Sequence, residues 1–230
     1  MQLLTKSNVK IEKSKARGYI TSGIHLAPGN LSGFEVCRGR SPGCTESCLN
    51  ETGHGILKSV QRSRILKTQL LFTNRHGFME QLFHEVHLAV NYAARKAMQA
   101  CFRLNLTSDQ PWETMRHNGK TIMEAFPNTW FYDYTKIPQR VRQYLAGKMP
   151  ENYHLTFSRS ESNQKVTENL MSLGANVAVV FHKVLPATYL GRPVVNGDAD
   201  DLRFLDPANV VVGLVSKGKA KKDESGFVIY

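Results

Sequence analysis

The sequence predicts an α/β protein, a partial (β/α) barrel of about six mostly parallel strands with helices outside. Three observations lead there. Strand-like and helix-like segments alternate about four times along the chain. Two later strands, "NVAVVFH" (176–182) and "NVVVGLVSKG" (209–218), are almost continuously apolar, as strands covered on both faces are. No glycine-rich phosphate fingerprint follows the first strand, which weighs against the other parallel arrangement, an open doubly wound dinucleotide-binding sheet.

The first strand is "GYITSGIHLAP" (18–28), stopped by Pro28-Gly29. A cysteine-bearing loop (35–55) follows. From 55 to 72 the apolar residues Ile56 and Val60, then Leu66 and Leu70, pair at a spacing of four and predict a helix burying that stripe. A second helix spans 79–100, with Leu82, Val86 and Val90 on one face. "CFRLNL" (101–106) alternates as a strand and stops at "TSD". A short helical piece leads into "TWFYDYTK" (129–136), rich in aromatic and β-branched residues. "IPQRVRQYLAG" reads as a helix closed by Gly147, and "NYHLTFSRS" (152–160) as a strand. The helix "SESNQKVTENLMSLG" takes Ser160 or Ser162 as N-cap and stops at Gly174. With no internal repeat and no linker, the 230 residues read as one domain. It carries an N-terminal extension (1–17), the cysteine loop and a basic C-terminal tail (217–230).

The chain has 30 Lys+Arg against 19 Asp+Glu, a formal charge of +11, which favours an anionic partner, nucleic acid or a nucleotide. Lys58, Arg62, Arg64 and Lys67 cluster on the first helix, and Lys217 and Lys219 open the "KGKAKK" run. Neither cluster is interleaved with the aromatics of a base-stacking platform. No apolar run is long enough to cross a bilayer, and the N-terminus lacks the apolar core of a secretory signal. A reducing, cytoplasmic setting is therefore expected, where clustered cysteines bind metal or react.

Three of the four cysteines, Cys37, Cys44 and Cys48, fall in one loop as C-x6-C-x3-C. Three thiolates there would hold three irons of a four-iron cluster and leave the fourth open. With His25 or His54 as fourth ligand they would instead close a tetrahedral Zn²⁺ site. Cys101, inside an apolar strand, reads as a small core residue. The "HEVH" at 84–87 lacks the HExxH spacing and reads as ordinary helix.

Parallel α/β folds do their chemistry at the C-terminal ends of strands. Here those ends carry His25, Asp109, the pair Asp133 and Lys136, the pair Ser158 and Arg159, and Asp198. Helix caps explain Ser108, Asp109 and Ser160 equally well, but not the cations. Asp109, Asp133, Lys136, Ser158, Arg159 and Asp198 are the expected lining of a catalytic mouth.

"GIHLAPGNLSGFEVCRGRSPGCTESCLN", "LNLTSDQPWE", "FYDYTK", "HLTFSRSE", "NVAVVF" and "NGDADDLRFLDP" together resemble a family of bacteriophage and mobile-element proteins related to the mycobacteriophage gene product 88 group. The resemblance covers nearly the whole chain. The order of its features is similar to radical-SAM-like β/α barrels, which would imply an iron–sulfur cluster whose open iron is chelated by the amino and carboxylate groups of SAM. Two features depart from that pattern. The radical-SAM spacing is C-x3-C-x2-C, and "RLNLTSD" lacks the glycine-rich strand end that holds the methionine part of SAM. Two functions follow as expectations: an iron–sulfur enzyme acting on a nucleotide or nucleic acid, or a zinc-stabilised module that binds DNA or RNA without turnover.

Overall fold

The computed structural model describes residues 1–5 and 12–230, so residues 6–11 of the expected N-terminal extension lie outside the described residues. Strand β1 is Tyr19–Gly23, shorter than its apolar run. A Cβ at Gly23 would lie 2.2 Å from the Arg103 carbonyl oxygen, so glycine lets the neighbouring strand approach there. The cysteine loop follows and includes one short helix, α1 (Pro42–Glu46). Helices α2 (Lys58–Thr73) and α3 (Arg75–Arg95) meet at Asn74, whose side chain caps α3 by accepting from the Gly77 amide. Helix α3 ends earlier than its periodicity implies. Ala97 adopts a left-handed φ of 53°, and β2 already begins at Gln99, running to Arg103.

The remaining elements are β3 (Trp130–Thr135), α4 (Pro138–Leu145), β4 (Tyr153–Ser158), α5 (Gln164–Ser172), β5 (Val177–Phe181), β6 (Arg192–Asn196), β7 (Val211–Val215) and β8 (Val228–Ile229). Neighbouring strands run in the order β1-β2-β3-β4-β5-β7-β6, all parallel. A two-residue strand, Thr188–Tyr189, adds antiparallel to β6 at the far edge. Among the described residues the sheet thus has nine strands rather than about six, and its path stays open with no barrel closure. Its first five strands rise in order without reversal, unlike a doubly wound sheet. Beside β5, β4 pairs only with Val177 and Ala178, and β8 pairs with Val180 and Phe181. The 217–230 segment is therefore built into the sheet, with Val228 buried.

Period-two alternation sorts the strands into two faces. Phe102, Phe131 and Leu155 join Leu71, Phe78, Leu82 and Val86 of α2 and α3 in the main core. Phe157, Val177 and Val211 join Leu170 and Met171 of α5 in a second. Residues of the other parity, Cys101 and Tyr132, pack on the opposite face against Leu202, with Tyr19 and Phe204 at the edge of this cluster. Phe204 stacks on Trp130 with centroids 5.2 Å apart and meets Tyr19 edge-on. Arg103 on that face pairs with Asp201 at 3.0 Å. So "DDLRFLDP" plugs the N-terminal half of the face that helices leave open.

Helix α2 buries a different stripe from the one its apolar residues mark. Ile56, in the short turn before it, and Leu66 are 62% and 45% exposed, whereas Arg64, Lys67, Thr68 and Leu71 are buried. The buried polar groups are engaged. Lys67 Nζ donates to the Leu3 carbonyl (2.9 Å), Thr68 Oγ1 accepts from the Ala27 amide (2.8 Å), and Arg64 donates to Asn50 (2.7 Å). Hydrogen bonding to irregular backbone, not apolar burial alone, sets this helix's orientation.

The plug carries a testable consequence. Phe204→Ala removes a ring stacked on Trp130 and should lower the unfolding free energy by roughly 2 kcal/mol, less than the cost at a fully buried site. Chemical denaturation checks it, and an unchanged midpoint would mean the plug does not hold the face.

Candidate functional site

The C-terminal ends of β1 to β4 converge on the cysteine loop. Ser41 caps α1 by accepting from the Cys44 amide and donates its hydroxyl to Glu161 Oε2 at 2.8 Å. The other Glu161 oxygen accepts the Gly43 amide at 2.8 Å. A carboxylate from beyond β4 thus holds the first turn of α1, satisfying an amide that has no helical partner. Gly39 and Gly43 allow the loop to sit close. A Cβ at Gly39 would lie 2.8 Å from Lys136 Cβ, and one at Gly43 2.1 Å from Ser225 Oγ. At its start the loop is tied to the exit of β2, where Asp109 N–H and Gln110 Nε2 both donate to the Val36 carbonyl.

Beneath this lies a buried polar cluster centred on Arg140. Its guanidinium makes a two-point ion pair with Glu113 (2.8 Å at both contacts), meets the Asp109 carboxylate, and donates to Tyr153 Oη at 2.8 Å. Tyr153 in turn donates to Asp133, which also accepts the Asn105 backbone amide (2.7 Å) and side-chain amide (3.1 Å). Burial pushes the Asp133 carboxyl up to about 7, against the opposing pull of these donors and of Arg140. Asp109 additionally accepts from Thr135 Oγ1 and from the Lys136 amide at 2.8 Å, which fixes the end of β3.

These contacts redistribute the expected mouth residues. Asp133 shares the parity of Phe131 and sits in the core below the mouth, not in it. Asp109 is a buried structural pin. Arg159 is buried at the fork between β4 and β5, where its side chain donates to the Gly226 and Phe227 carbonyls and clamps the approach to β8. Asp198 belongs to the β6–β7 end, accepting from the Val215 amide and Lys217 Nζ. Lys136 and Ser158 lie together at the ends of β3 and β4, under the cysteine loop. The ammonium donates to Ser158 Oγ at 2.8 Å and lies 5.7 Å from the centre of the Phe227 ring.

Cys44 and Cys48 lie within electrostatic reach of Cys37, without the three sulfurs being gathered into a cluster. Burial first, then the charges of Asp109, Cys48, Cys44 and Glu35, push the Cys37 thiol up to about 12. Cys37 Sγ points to the Thr107 carbonyl, Cys48 Sγ accepts from the Asn50 amide, and none of the four cysteines forms a disulfide. Among the described residues no group of three or more His, Cys, Asp or Glu side chains is gathered as a metal-ion set. His25 stands apart from the thiols electrostatically. Burial and then the charges of Arg64, Arg103 and Lys67 push its imidazole down to about 3, surroundings that repel a cation.

The basic clusters change as well. Lys58 and Arg62 are exposed, but Arg64 and Lys67 face inward, because a helical period puts positions 64, 67, 68 and 71 on one stripe. Of the four cations expected on an exposed face of α2, only Lys58 and Arg62 face solvent. Lys217 is paired with Asp198, and Lys219 lines a cleft of about 340 Å³ with Glu46, Ser47, Lys222 and Asp223 beside the cysteine loop. No helix among the described residues is long and apolar enough to cross a membrane.

The whole described chain, cysteine loop and plug included, is matched by one family model, Gene product 88, over residues 2–230. The chain belongs to the Gene product 88 family. No curated protein and no solved structure matches it. In this Gene product 88 protein the sequence reading missed Arg140, Glu113, Tyr153 and Asn105. One signal was available: an arginine in the first half of a helix directly after a strand ending in "DYT".

Two outcomes test the division between pins and mouth. Asp109→Ala leaves the Lys136 amide and the Thr135 hydroxyl without their acceptor and takes a carboxylate from Arg140, which keeps Glu113. It should cost about 3 kcal/mol, whereas half-buried Lys136→Ala should cost under about 1 kcal/mol. Equal losses would contradict the division. The second concerns pH. The Asp133 carboxyl is raised from 3.8 to about 7 in the fold, so its contribution to stability is full below 3.8 and lost as pH rises through 7. The stability difference between wild type and Asp133→Asn should therefore shrink over that window, and a difference independent of pH would show that the group does not titrate there.

Proposed function

We propose that this chain is an enzyme whose cysteine loop carries a metal centre, an iron–sulfur cluster, above the C-terminal mouth of the sheet, and that its substrate is a nucleotide. The observation that carries the reading is the docking of that loop: Glu161, Gly39 and Gly43 seat it over Lys136 and Ser158, with Cys44 and Cys48 in electrostatic reach of Cys37.

The donor chemistry fits such a centre. Cys37, Cys44 and Cys48 offer three soft sulfur donors from one loop, the ligand type that iron–sulfur clusters take. The negative neighbours that raise the Cys37 thiol, Asp109 and Glu35 among them, are the neighbours a cation favours. His25, set among cations, is left out of the ligand set, so a closed tetrahedral zinc site would have to draw its fourth ligand from exposed His54. A bound cluster would supply one-electron chemistry at the mouth. The chain's own part is to hold the loop by Glu161, to present the Lys136 ammonium, and to keep Ser158 oriented towards it. The nucleic-acid module is the weaker reading, since half of its phosphate-binding face on α2 points inward.

Anaerobic purification and reconstitution with iron and sulfide test this. The expected result is a brown protein with iron and sulfide bound in proportion to chain, lost in each of Cys37→Ser, Cys44→Ser and Cys48→Ser but kept in His25→Gln and Cys101→Ser. Colourless protein that takes up one zinc per chain, or no metal at all, would overturn the cluster.

A further inference from the structure

Below the cysteine loop, at the C-terminal ends of β1 to β3 and beside β4, the structure buries polar side-chain atoms that have no hydrogen-bond partner. Among the described residues, Asn50 Nδ2, Arg64 Nε, Arg103 Nε, Tyr134 Oη and Thr156 Oγ1 are all buried without a hydrogen-bond partner, as is His25 Nδ1. Buried polar atoms are almost always paired, so this many in one chain calls for a cause.

These six are neighbours; the other atoms without a hydrogen-bond partner among the described residues are Ser14 Oγ near the N-terminus and His154 Nε2, Arg203 Nε and Nη1, and Asp206 Oδ2 around the plug. Arg64 donates to Asn50 through its other nitrogen, and the charges of Arg64 and Arg103 both reach His25. Arg103 lies 4.4 Å from the centre of the Tyr134 ring. Tyr134 and Thr156 are register partners on adjacent parallel strands, so both face the side of the sheet on which Arg103 sits. The row runs from the cysteine loop, across β2 and β3, to β4.

The charge of the row is positive and incompletely neutralised. Asp201 answers Arg103, but at Nη1 rather than Nε. Arg64 is buried with only the neutral Asn50 as hydrogen-bond partner, and the Cys48 thiol is the group that acts on its charge. Lys67 stands behind it, bonded to a carbonyl. A buried guanidinium without a counter-ion is costly in a folded protein and is a frequent mark of a site made for an anion. Water can answer the hydroxyls and the neutral imidazole, which accept as well as donate, but it leaves the charge of the Arg64 guanidinium uncompensated. A planar carboxylate has two oxygens on one side, whereas these donors approach from a loop, a helix and three strands. Oxygens directed several ways at once belong to a phosphate.

We propose that Asn50, Arg64, His25, Arg103, Tyr134 and Thr156 form a buried binding site for the phosphate or diphosphate group of a small molecule. The site rests on reading the mouth as the substrate face and not on the metal centre. Because the donor atoms are enclosed, the group is a terminal phosphate or diphosphate that enters the fold, not the backbone of a nucleic acid lying on its surface.

Titration of the metal-free full chain with pyrophosphate, and separately with inorganic phosphate, tests it by calorimetry and thermal unfolding, with sodium chloride and sodium acetate at matched ionic strength as controls. Pyrophosphate should bind saturably and raise the melting temperature, and the controls should not. Tyr134→Phe and Thr156→Val each delete an unpartnered hydroxyl, so each should leave the melting temperature of the free protein unchanged or higher while weakening pyrophosphate on the order of tenfold. Arg64→Gln should abolish binding, and exposed Arg62→Gln on the same helix should not. The triple Cys37, Cys44 and Cys48→Ser variant should keep pyrophosphate affinity, which separates this site from the cluster. Absence of saturable binding overturns the proposal, as does a Tyr134→Phe or Thr156→Val protein that is less stable without ligand yet binds as wild type.

Discussion

The ion cluster around Arg140 is the constraint on which the upper half of this protein depends. One guanidinium answers Asp109 from the exit of β2, Glu113 from the loop beyond it, and Tyr153 from the start of β4. Through Tyr153 it reaches Asp133 on β3, and through Asp133 the Asn105 amides. Three parallel strands are thus tied together by side chains where their backbones part to become loops. Such a cluster is no easy source of stability, since burying charges costs several kcal/mol each and only full hydrogen bonding offsets it. What it secures is position: Asp109 fixes the Lys136 amide on one side and, through its own amide, the Val36 carbonyl that begins the cysteine loop on the other.

The opposite face of the sheet is built differently. The Arg140 cluster pairs its charges, while the row from Arg64 to Thr156 leaves donors unanswered within the same fold. Natural proteins tolerate such unpaired groups mainly where function requires them. The plug formed by Leu202 and Phe204 covers part of this face with apolar and stacked aromatic contacts, while Arg203 and Asp206 within the same segment pair with each other as ions and keep further buried polar atoms without a hydrogen-bond partner.

Much of this was legible in the sequence, for physical reasons that can be named. Continuous apolar runs at 176–182 and 209–218 announced buried parallel strands, and the loop between β1 and α2 was marked by its cysteines. The rule that strand ends converge correctly brought Lys136 and Ser158 together with that loop. It failed for Asp133 because side-chain parity, not position near a strand end, decides which face a residue meets. It failed for Arg159 because β8, two residues long, leaves almost no periodic signal, and the clamp needs β8 to be known. Helix α2 was misread because its buried stripe is polar, and nothing local reveals that Leu3, Ala27 and Asn50 wait to receive Lys67, Thr68 and Arg64. Strand β6, with proline second and one edge taken by a two-residue strand, carried no usable alternation either.

That the Arg140 cluster positions the cysteine loop is the central claim, and native-state hydrogen exchange tests it most directly. In Arg140→Met, the amides of Asp109, Lys136 and Gly43 should lose protection together, while those of Val179 in β5 and Val212 in β7 keep theirs. If instead the Gly43 amide keeps its protection while Lys136 loses its own, the loop is held by Glu161 and the C-terminal segment alone, and the account of the cluster as the organising constraint is wrong.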